Sequence, residues 1–330
     1  MKVTIKDVAK AVGVSPSTVS RALHDNDRIS PEVRARVKQA AQEMNFHPNL
    51  MARGLVNRQT RIIGVVFPEE VGLNLSNPFY PEVLQGIGHA AGKRRYQILL
   101  LTGAPGGSSQ DICRQAVDAG YVSGLILLTA KDVPPVEYDV PVVTIGHPVD
   151  AESRCYVDND NVNAGYAAAS HLLAKGHRRI LLVGYDGSVM FTADRRKGVE
   201  KALAEVSLTL PEKWVLPGAD DIIALDAILA QPNPPTAAVC MDDLTAIRLS
   251  QLLTASGRSV PGDLSLISFN NNEASRYHVP ALTTFDVGSY QLGANAMNLM
   301  LDMLDGTITE PTAIDVPFTL IERESVADLK

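Results

Sequence analysis

Apolar positions in the first fifty residues recur at the spacing of short α-helices. The first stripe has a period of three to four residues and consists of Ile5, Val8, Ala9 and Val12. Thr4 can cap this helix, and Gly13 can end it in a left-handed conformation. Ser15 followed by Pro16 then provides a cap and a first-turn proline for a second helix. The pattern predicts two helices joined by a tight turn.

The second helix separates an apolar side from a polar one. Val19 and Leu23 lie four residues apart and are predicted to face inward, whereas the outward positions are Ser17, Thr18, Ser20 and Arg21. A third helix is predicted from Ser30-Pro31 to about residues 46–48. Two helices in tight succession, the second with a polar outward face, are typical of a helix-turn-helix DNA-binding domain, predicted over residues 1–47. The alternative is a three-helix bundle with an ordinary solvated charged face.

From residue 61 onward, apolar runs alternate with amphipathic segments. Runs typical of buried parallel strands are Ile62–Phe67, Gln97–Leu101, Gly124–Leu128, Val142–Ile145, Ile180–Val183, Ala237–Met241 and Leu264–Phe269. Predicted helices lie roughly at 80–94, 109–119, 161–175, 192–206, 221–230, 243–255 and 288–304. This order predicts an α/β core (61–330) of two doubly wound parallel-sheet lobes, about 61–160 and 161–330, with a late segment crossing back. Residues 48–60 are predicted to form a hinge helix and linker.

Charge divides the chain in the same place. Residues 1–60 contain ten Lys and Arg against five Asp and Glu, a net charge of +5. Because the whole chain carries −7, the remaining 270 residues carry −12. A basic module can hold phosphates, and an acidic one repels them, so DNA contact is assigned to the N-terminal module.

Composition narrows the functional classes. No run of eighteen apolar residues occurs, and the N-terminus does not resemble a signal peptide, so a cytoplasmic protein is expected. Cys113, Cys155 and Cys240 are scattered, and neither they nor the seven histidines have metal-ligand spacing. Nucleotide-loop, serine-hydrolase and zinc-protease motifs are missing. We therefore expect neither an enzyme nor a bound cofactor or metal.

Many short sequence motifs of this chain resemble those of the LacI–GalR family of bacterial repressors. The matching motifs are Thr4–Ala9, Val14-Ser15, Thr18–Arg21, Asn49-x-x-Ala52-Arg53-Gly54-Leu55, Asn77–Tyr80, Val157–Asn161, Gly176-His177, Arg195-x-x-Gly198, Pro261-x-Asp263 and Pro280-x-Leu282-Thr283-Thr284. The resemblance implies a core like type I periplasmic sugar-binding proteins, with a small sugar effector between the lobes. It also implies a homodimer that binds a pseudo-palindromic operator as a repressor.

The resemblance assigns the DNA-facing residues. In the helix-turn-helix domain they are Thr4, Ser15, Pro16, Ser17, Thr18, Ser20 and Arg21. Arg21 could bind guanine through two hydrogen bonds, although a phosphate contact is the alternative. In the linker, Asn49, Ala52 and Arg53 would lie near the DNA backbone and groove. Leu55 would enter a minor-groove step as an apolar wedge, or it is ordinary packing.

The resemblance also assigns an effector site. Its candidate residues are Asn77, Phe79, Tyr80, His147, Asp160, Arg195, Asp242 and Asn270. Carboxylates, amides and a guanidinium make the directed hydrogen bonds that sugar hydroxyls need. Simpler roles are also open: a turn for Asn77, helix caps for Asp160 and Asp242, and a surface cation for Arg195.

At two positions this chain has residues other than those most common in the family, and both differences favour the maltose-operon regulators within the family. Asp242-Asp243 replaces the more usual Asn-Asp, and Asn270 replaces Asp. The sequence therefore favours maltose or a related α-glucoside as effector. One rival is a global carbon-control regulator of the same family that is controlled by a phosphocarrier protein. Such regulators have a basic Met-Arg-Leu patch, and this alternative is disfavoured because the chain has Met297-Asn298-Leu299 there, with the acidic Asp302 and Asp305 nearby. Others are a sugar-binding protein that never binds DNA and an α/β enzyme.

Overall fold

The structure of the protein is a computed structural model with two compact units, Met1–Thr60 and Arg61–Lys330. It describes residues 3–23, 25–46, 60–68, 75–102, 108–128, 137–148, 150–185, 189–219 and 221–330. Within these ranges, every helix is too short or too polar to cross a membrane.

The N-terminal unit contains the three predicted helices. They are α1 (Ile5–Val12), α2 (Pro16–Leu23) and α3 (Pro31–Glu43). Gly13 ends α1 with a left-handed φ of 77°, as predicted. Asp7 accepts hydrogen bonds from the backbone N–H and the hydroxyl of Thr4, which fixes the first turn of α1. Val8, Val19 and Val37, one from each helix, are fully buried in a shared core.

The first lobe of the large unit is built on a six-stranded parallel sheet. Its strands are β1 (Ile62–Val66), β2 (Gln97–Leu101), β3 (Gly124–Leu128), β4 (Val142–Ile145), β5 (Cys155–Asp158) and β11 (Ala313–Asp315). The spatial order is β11-β5-β4-β3-β1-β2. Helices α4 (Phe79–Lys93) and α5 (Ser109–Asp118) connect its first three strands.

The second lobe is built on a sheet of six strands, β6 (Ile180–Val183), β7 (Val215–Leu216), β8 (Ala237–Cys240), β9 (Ser265–Phe269), β10 (Thr283–Asp286) and β12 (Thr319–Ile321). Their spatial order is β12-β10-β9-β8-β6-β7, and only the β10–β12 pair of this sheet is antiparallel. Its helices are α6 (Asn161–Ala174), α7 (Met190–Glu205), α8 (Ile222–Leu229), α9 (Asp243–Ala255) and α10 (Glu273–Tyr277).

The chain crosses between the lobes three times. The crossovers lie between β5 and α6, between β10 and α11 (Ser289–Leu304), and between β11 and β12. Helix α11 packs against α4 and the first sheet, so the predicted return of a late segment is confirmed. The two helices approach so closely that a Cβ on Gly86 would lie 2.1 Å from the carbonyl oxygen of Tyr290. The short strands β5, β7, β10, β11 and β12 and the short helix α10 were not predicted, because they lack a long apolar run.

Candidate effector cavity and DNA-binding surface

A cavity lies between the two lobes, at the ends of their strands. It is lined by Asn77, Phe79, Tyr80, Leu128, Ile145, Gly146, His147, Asp158, Asn159, Asn161, Met190, Phe191, Arg195, Met241, Asp242, Asn270, Val287 and Leu292. The carboxyl ends of parallel strands are where open α/β sheets bind ligands. The cavity encloses about 70 Å³, several times the roughly 10–15 Å³ that one water needs. It therefore has room for a polar ligand.

Seven of the eight predicted effector residues line this cavity, and Asp160 is the exception. Asp160 is exposed, and its carboxylate caps α6 by accepting the backbone N–H of Asn163 at 2.9 Å. The prediction for Asp160 is therefore corrected to its simpler role as a helix cap. The residues on either side of it, Asn159 and Asn161, face the cavity instead.

Asp242 accepts three hydrogen bonds in the cavity wall. Its Oδ1 accepts the backbone N–H of Thr245 at 2.7 Å and thereby caps α9. Its Oδ2 accepts the amide of Asn77 at 2.8 Å and the hydroxyl of Tyr185 at 2.6 Å. Asn77 in turn accepts the backbone N–H of Phe79 at 3.1 Å. Both candidates thus combine the simpler turn or cap role with a place in the cavity wall.

Arg195 is a buried cation with fixed partners, which excludes the surface role. It is 5% exposed, and its Nε donates to Asn161 at 3.0 Å. Its Nη1 donates to the carbonyl oxygen of Met241 at 2.6 Å, and the guanidinium lies 4.0 Å from the ring centre of Phe269. Burial lowers the pKa of Arg195 to about 10, opposed by the charges of Asp158 and Asp242. Its charge is retained at neutral pH and oriented within the cavity wall.

Asp158 and His147 form the first-lobe side of the polar surface. The backbone N–H of His147 donates to Asp158 at 2.9 Å, and the amide of Asn161 donates to the same carboxylate. Burial raises the pKa of Asp158 to about 6, although the backbone N–H groups of Asn159 and His147 and the charge of Arg195 oppose the shift. The cavity therefore contains one carboxylate whose charge changes just below neutral pH.

Aromatic rings supply the apolar walls. Phe79 and Tyr80 contact each other edge to face at 5.2 Å, and Tyr185 and Phe191 do so at 5.8 Å. Phe79, Tyr185 and Phe191 pack against the buried clusters of both lobes. Tyr185 and Phe191 were missed by the sequence analysis, because isolated aromatics outside any motif give no signal.

The second helix of the N-terminal unit presents the predicted polar face. Ser15 accepts the backbone N–H of Thr18 at 3.1 Å, which confirms the cap, and its hydroxyl contacts that of Ser17 at 2.8 Å. Pro16 and Arg21 are exposed, and Ser20 is half-buried. The predicted linker residues Asn49, Ala52, Arg53 and Leu55 lie outside the described residues.

The cations of α3 serve the N-terminal unit itself. Arg34 and Lys38 donate to Asp25, at its carbonyl oxygen (3.0 Å) and its carboxylate (2.6 Å). Arg36 donates to the carbonyl oxygen of Val12 at the end of α1, at 2.8 Å. These bonds tie α3 to the rest of the unit and leave the exposed face of α2 free of them.

Comparison with known proteins agrees with both units. The family profile "Bacterial regulatory proteins, lacI family" matches residues 4–49, and "Periplasmic binding protein-like domain" matches residues 169–326. The HTH-type transcriptional regulator MalR of Streptococcus pneumoniae serotype 4 (strain ATCC BAA-334 / TIGR4) is 41% identical over 214 residues. That match spans 63% of this chain and 65% of MalR, slightly less than two thirds of the relative's length.

Two solved structures extend the likeness over most of the chain. A LacI transcriptional regulator from Bacillus cereus subsp. cytotoxis NVH 391-98 is 30% identical, with a TM-score of 0.74 over 82% of this chain and 100% of that chain. A CelR–cellobiose complex is 28% identical, with a TM-score of 0.74 over 98% of this chain and 100% of that chain. The fold and the site define a two-lobed regulator core joined to a helix-turn-helix unit. The chain belongs to the LacI family of bacterial regulatory proteins.

Proposed function

We propose that this protein is a transcriptional repressor whose affinity for an operator is changed by a small sugar bound between its lobes. The single observation that carries the proposal is the cavity to which both lobes contribute hydrogen-bonding side chains, Asn77 and His147 from one and Arg195, Asp242 and Asn270 from the other. A ligand held by both walls favours one lobe arrangement. It changes DNA affinity only through that difference.

The proposed effector is maltose or a related α-glucoside. Support comes from the maltose-operon wording around Asp242 and Asn270, from the 41% identity to MalR, and from the cellobiose complex of CelR. The cavity chemistry agrees, since carboxylates, amides and one guanidinium suit hydroxyl groups and aromatic rings suit the apolar face of a sugar. Asp158 and Asp242 outnumber Arg195 as charged groups, which disfavours a phosphorylated sugar.

The proposed DNA target is a pseudo-palindrome bound by a homodimer in the cytoplasm. One helix-turn-helix reads too few base pairs for a specific site, and two-fold proteins match two-fold sites. Pro16, Ser17 and Arg21 on α2 would read bases. Leu55, flanked by Arg53, would act as a minor-groove wedge. Release of DNA on sugar binding is the proposed sign of the response.

The rival carbon-control mechanism gains no support from the last long helix. Met297 and Leu299 are buried in the first lobe and cannot form an exposed patch. Asp302 and Asp305 both bind Arg94, at 2.9 and 2.7 Å, so this end of α11 carries carboxylates where a phosphorylated partner needs cations.

A thermal-shift screen of the full chain against mono- and disaccharides tests the effector proposal. Maltose is expected to raise the melting temperature, because a ligand that binds only the folded state stabilises it. Glucose 6-phosphate serves as the phosphorylated comparison and is expected to have no effect. A shift with the phosphosugar and none with any neutral sugar would contradict the assignment.

A further inference from the structure

One buried side chain joins all three crossovers between the lobes. Asn159 lies in the first crossover, directly between β5 and α6, and is 7% exposed. Its Nδ2 donates to the carbonyl oxygen of Val287 at 2.9 Å and to that of Val316 at 2.7 Å. Val287 belongs to the second crossover and Val316 to the third.

The chemistry of this contact leaves no ambiguity in the amide orientation. Both partners are carbonyl oxygens, which only accept, so the nitrogen must face them and both of its N–H groups are used. Val287 and Val316 are 1% and 3% exposed, so water could not replace the amide as a donor to their carbonyl oxygens. Removing the amide would therefore leave two buried carbonyl groups without this hydrogen bond, which is destabilising. A serine hydroxyl at position 159 has a single O–H and could donate to only one of the two oxygens.

The position of the contact gives it mechanical importance. Lobes joined by a few chain segments move by changes in backbone torsions within those segments. Val287 packs in the core of the second lobe and Val316 in the core of the first. Asn159 and Val287 also line the cavity, so the same contact lies within reach of a ligand.

We propose that Asn159 is a positioning residue that restricts the hinge between the lobes. Its contact with the carbonyl oxygens of Val287 and Val316 is called the pin below. By holding the three crossovers at fixed separations, it limits the lobes to a narrow range of angles and places the two cavity walls opposite each other. A ligand in the cavity that displaces Asn159 or Val287 would alter this contact and thereby change the angle between the lobes. The transmission of the sugar signal rests on the proposed function, whereas the pin itself does not.

The test measures the distance between the lobes without sugar or DNA. Nitroxide labels are placed on Arg114→Cys in the first lobe and Gln251→Cys in the second, both exposed positions. Native Cys113, Cys155 and Cys240 are buried and are not expected to label. Electron–electron double resonance on full-length chains, diluted with unlabelled protein, is expected to give one narrow distance peak.

Asn159→Ala is expected to lose that narrow peak and give a broad or shifted distribution. The matched control is Asn163→Ala, because among the described residues the side-chain amide of Asn163 bonds only to Asp160 within the same segment. An unchanged peak in folded Asn159→Ala would overturn the proposal. Asn159→Ser provides a second, milder variant. If circular dichroism shows both Asn159 variants unfolded, Asn159 is a core residue and the pin is likewise overturned.

A second readout concerns the response to sugar. In Asn159→Ala the maltose-induced change in operator affinity is expected to shrink, while DNA affinity without sugar stays measurable. If wild type shows no sugar response but Asn159→Ala still broadens the lobe distance, the proposed effector fails and the pin stands. If wild type responds and Asn159→Ala responds equally with an unchanged distance, the pin fails and the effector stands.

Discussion

Asn77 in the first lobe donates a hydrogen bond of 2.8 Å to Asp242 in the second, with both side chains 3% exposed. The same carboxylate oxygen accepts the hydroxyl of Tyr185 from within its own lobe. Asp242 is therefore a point at which the lobes contact each other directly, within the cavity. Changes on either side of this bond test how the lobes are held together.

Asn77→Asp retains the acceptor for the backbone N–H of Phe79 but sets a second carboxylate against Asp242. We expect this variant to unfold at lower urea, with a loss of at least about 2 kcal/mol at pH 7. The loss should diminish in acid, because two close carboxylates share a proton. Tyr185→Phe is the control, since it removes a bond to Asp242 without adding a charge. Equal, pH-independent losses in both variants would contradict the cross-lobe contact.

The crossing of α4 and α11 depends on a glycine. Gly86→Ala would place a Cβ 2.1 Å from a backbone oxygen of α11, which must shift. We expect the free energy of unfolding to fall by about 1–3 kcal/mol or more. Gly88→Ala, two residues on in the same helix, meets nothing within 4 Å and should stabilise the protein by about 0.5–1 kcal/mol. Chemical denaturation that shows the same sign for both changes would refute this packing.

The stability contributed by Asp158 and Asp243 should decrease as the pH rises from about 4 to about 6. Burial raises the pKa of Asp158 to about 6, and burial does the same for Asp243. In the unfolded chain these two side chains have the ordinary Asp pKa near 4, so they release their protons in this window while the folded protein still holds them. Raising the pH across the window therefore favours the unfolded state. Urea unfolding at several pH values measures the slope. Asp158→Asn should reduce it, and the exposed Asp160→Asn should leave it unchanged.

Arg21→Ala separates base reading from phosphate binding. If Arg21 contacts a guanine edge, the variant should lose about 1–3 kcal/mol per half-site on a selected operator and much less on random DNA. Fluorescence anisotropy on the two DNAs at one salt concentration gives both values. Lys10→Ala, on the exposed side of α1, is the comparison for a general loss of positive charge. Losses of the same size on both DNAs would make Arg21 a phosphate contact.

Much of the fold was predictable because its elements carry local signals. The capped helices at Ser15 and Ser30 and the long apolar runs of β1, β8 and β9 follow from spacing alone. The strands β7, β11 and β12 have only two or three residues and are held by pairing with neighbours, which a single segment does not reveal. The return of α11 to the first lobe was expected in outline, but its partner depends on tertiary packing.

The cavity was predictable as a set of strand ends but not in its internal bonding. Asp158 and Asp160 are both carboxylates near the end of β5, and the sequence favoured the second of them. The helix starts at Asn161, so Asp160 becomes its cap while Asp158 turns inward. The role of Asn159 depends on carbonyl oxygens more than 120 residues away, and no local pattern encodes it.

A sugar in the cavity is proposed to control DNA binding. The most direct test is operator affinity, measured by anisotropy on a site selected by the full chain, with and without saturating maltose. We expect saturating maltose to lower the operator affinity of the wild type about 5–150-fold, which corresponds to a coupling free energy of ~1–3 kcal/mol. Asn270→Gly should bind the same operator normally and lose the response. Glycine suits the φ of 101° at this position, so only the cavity side chain is removed. A full response in Asn270→Gly, or an affinity in wild type that no sugar changes, would contradict the account.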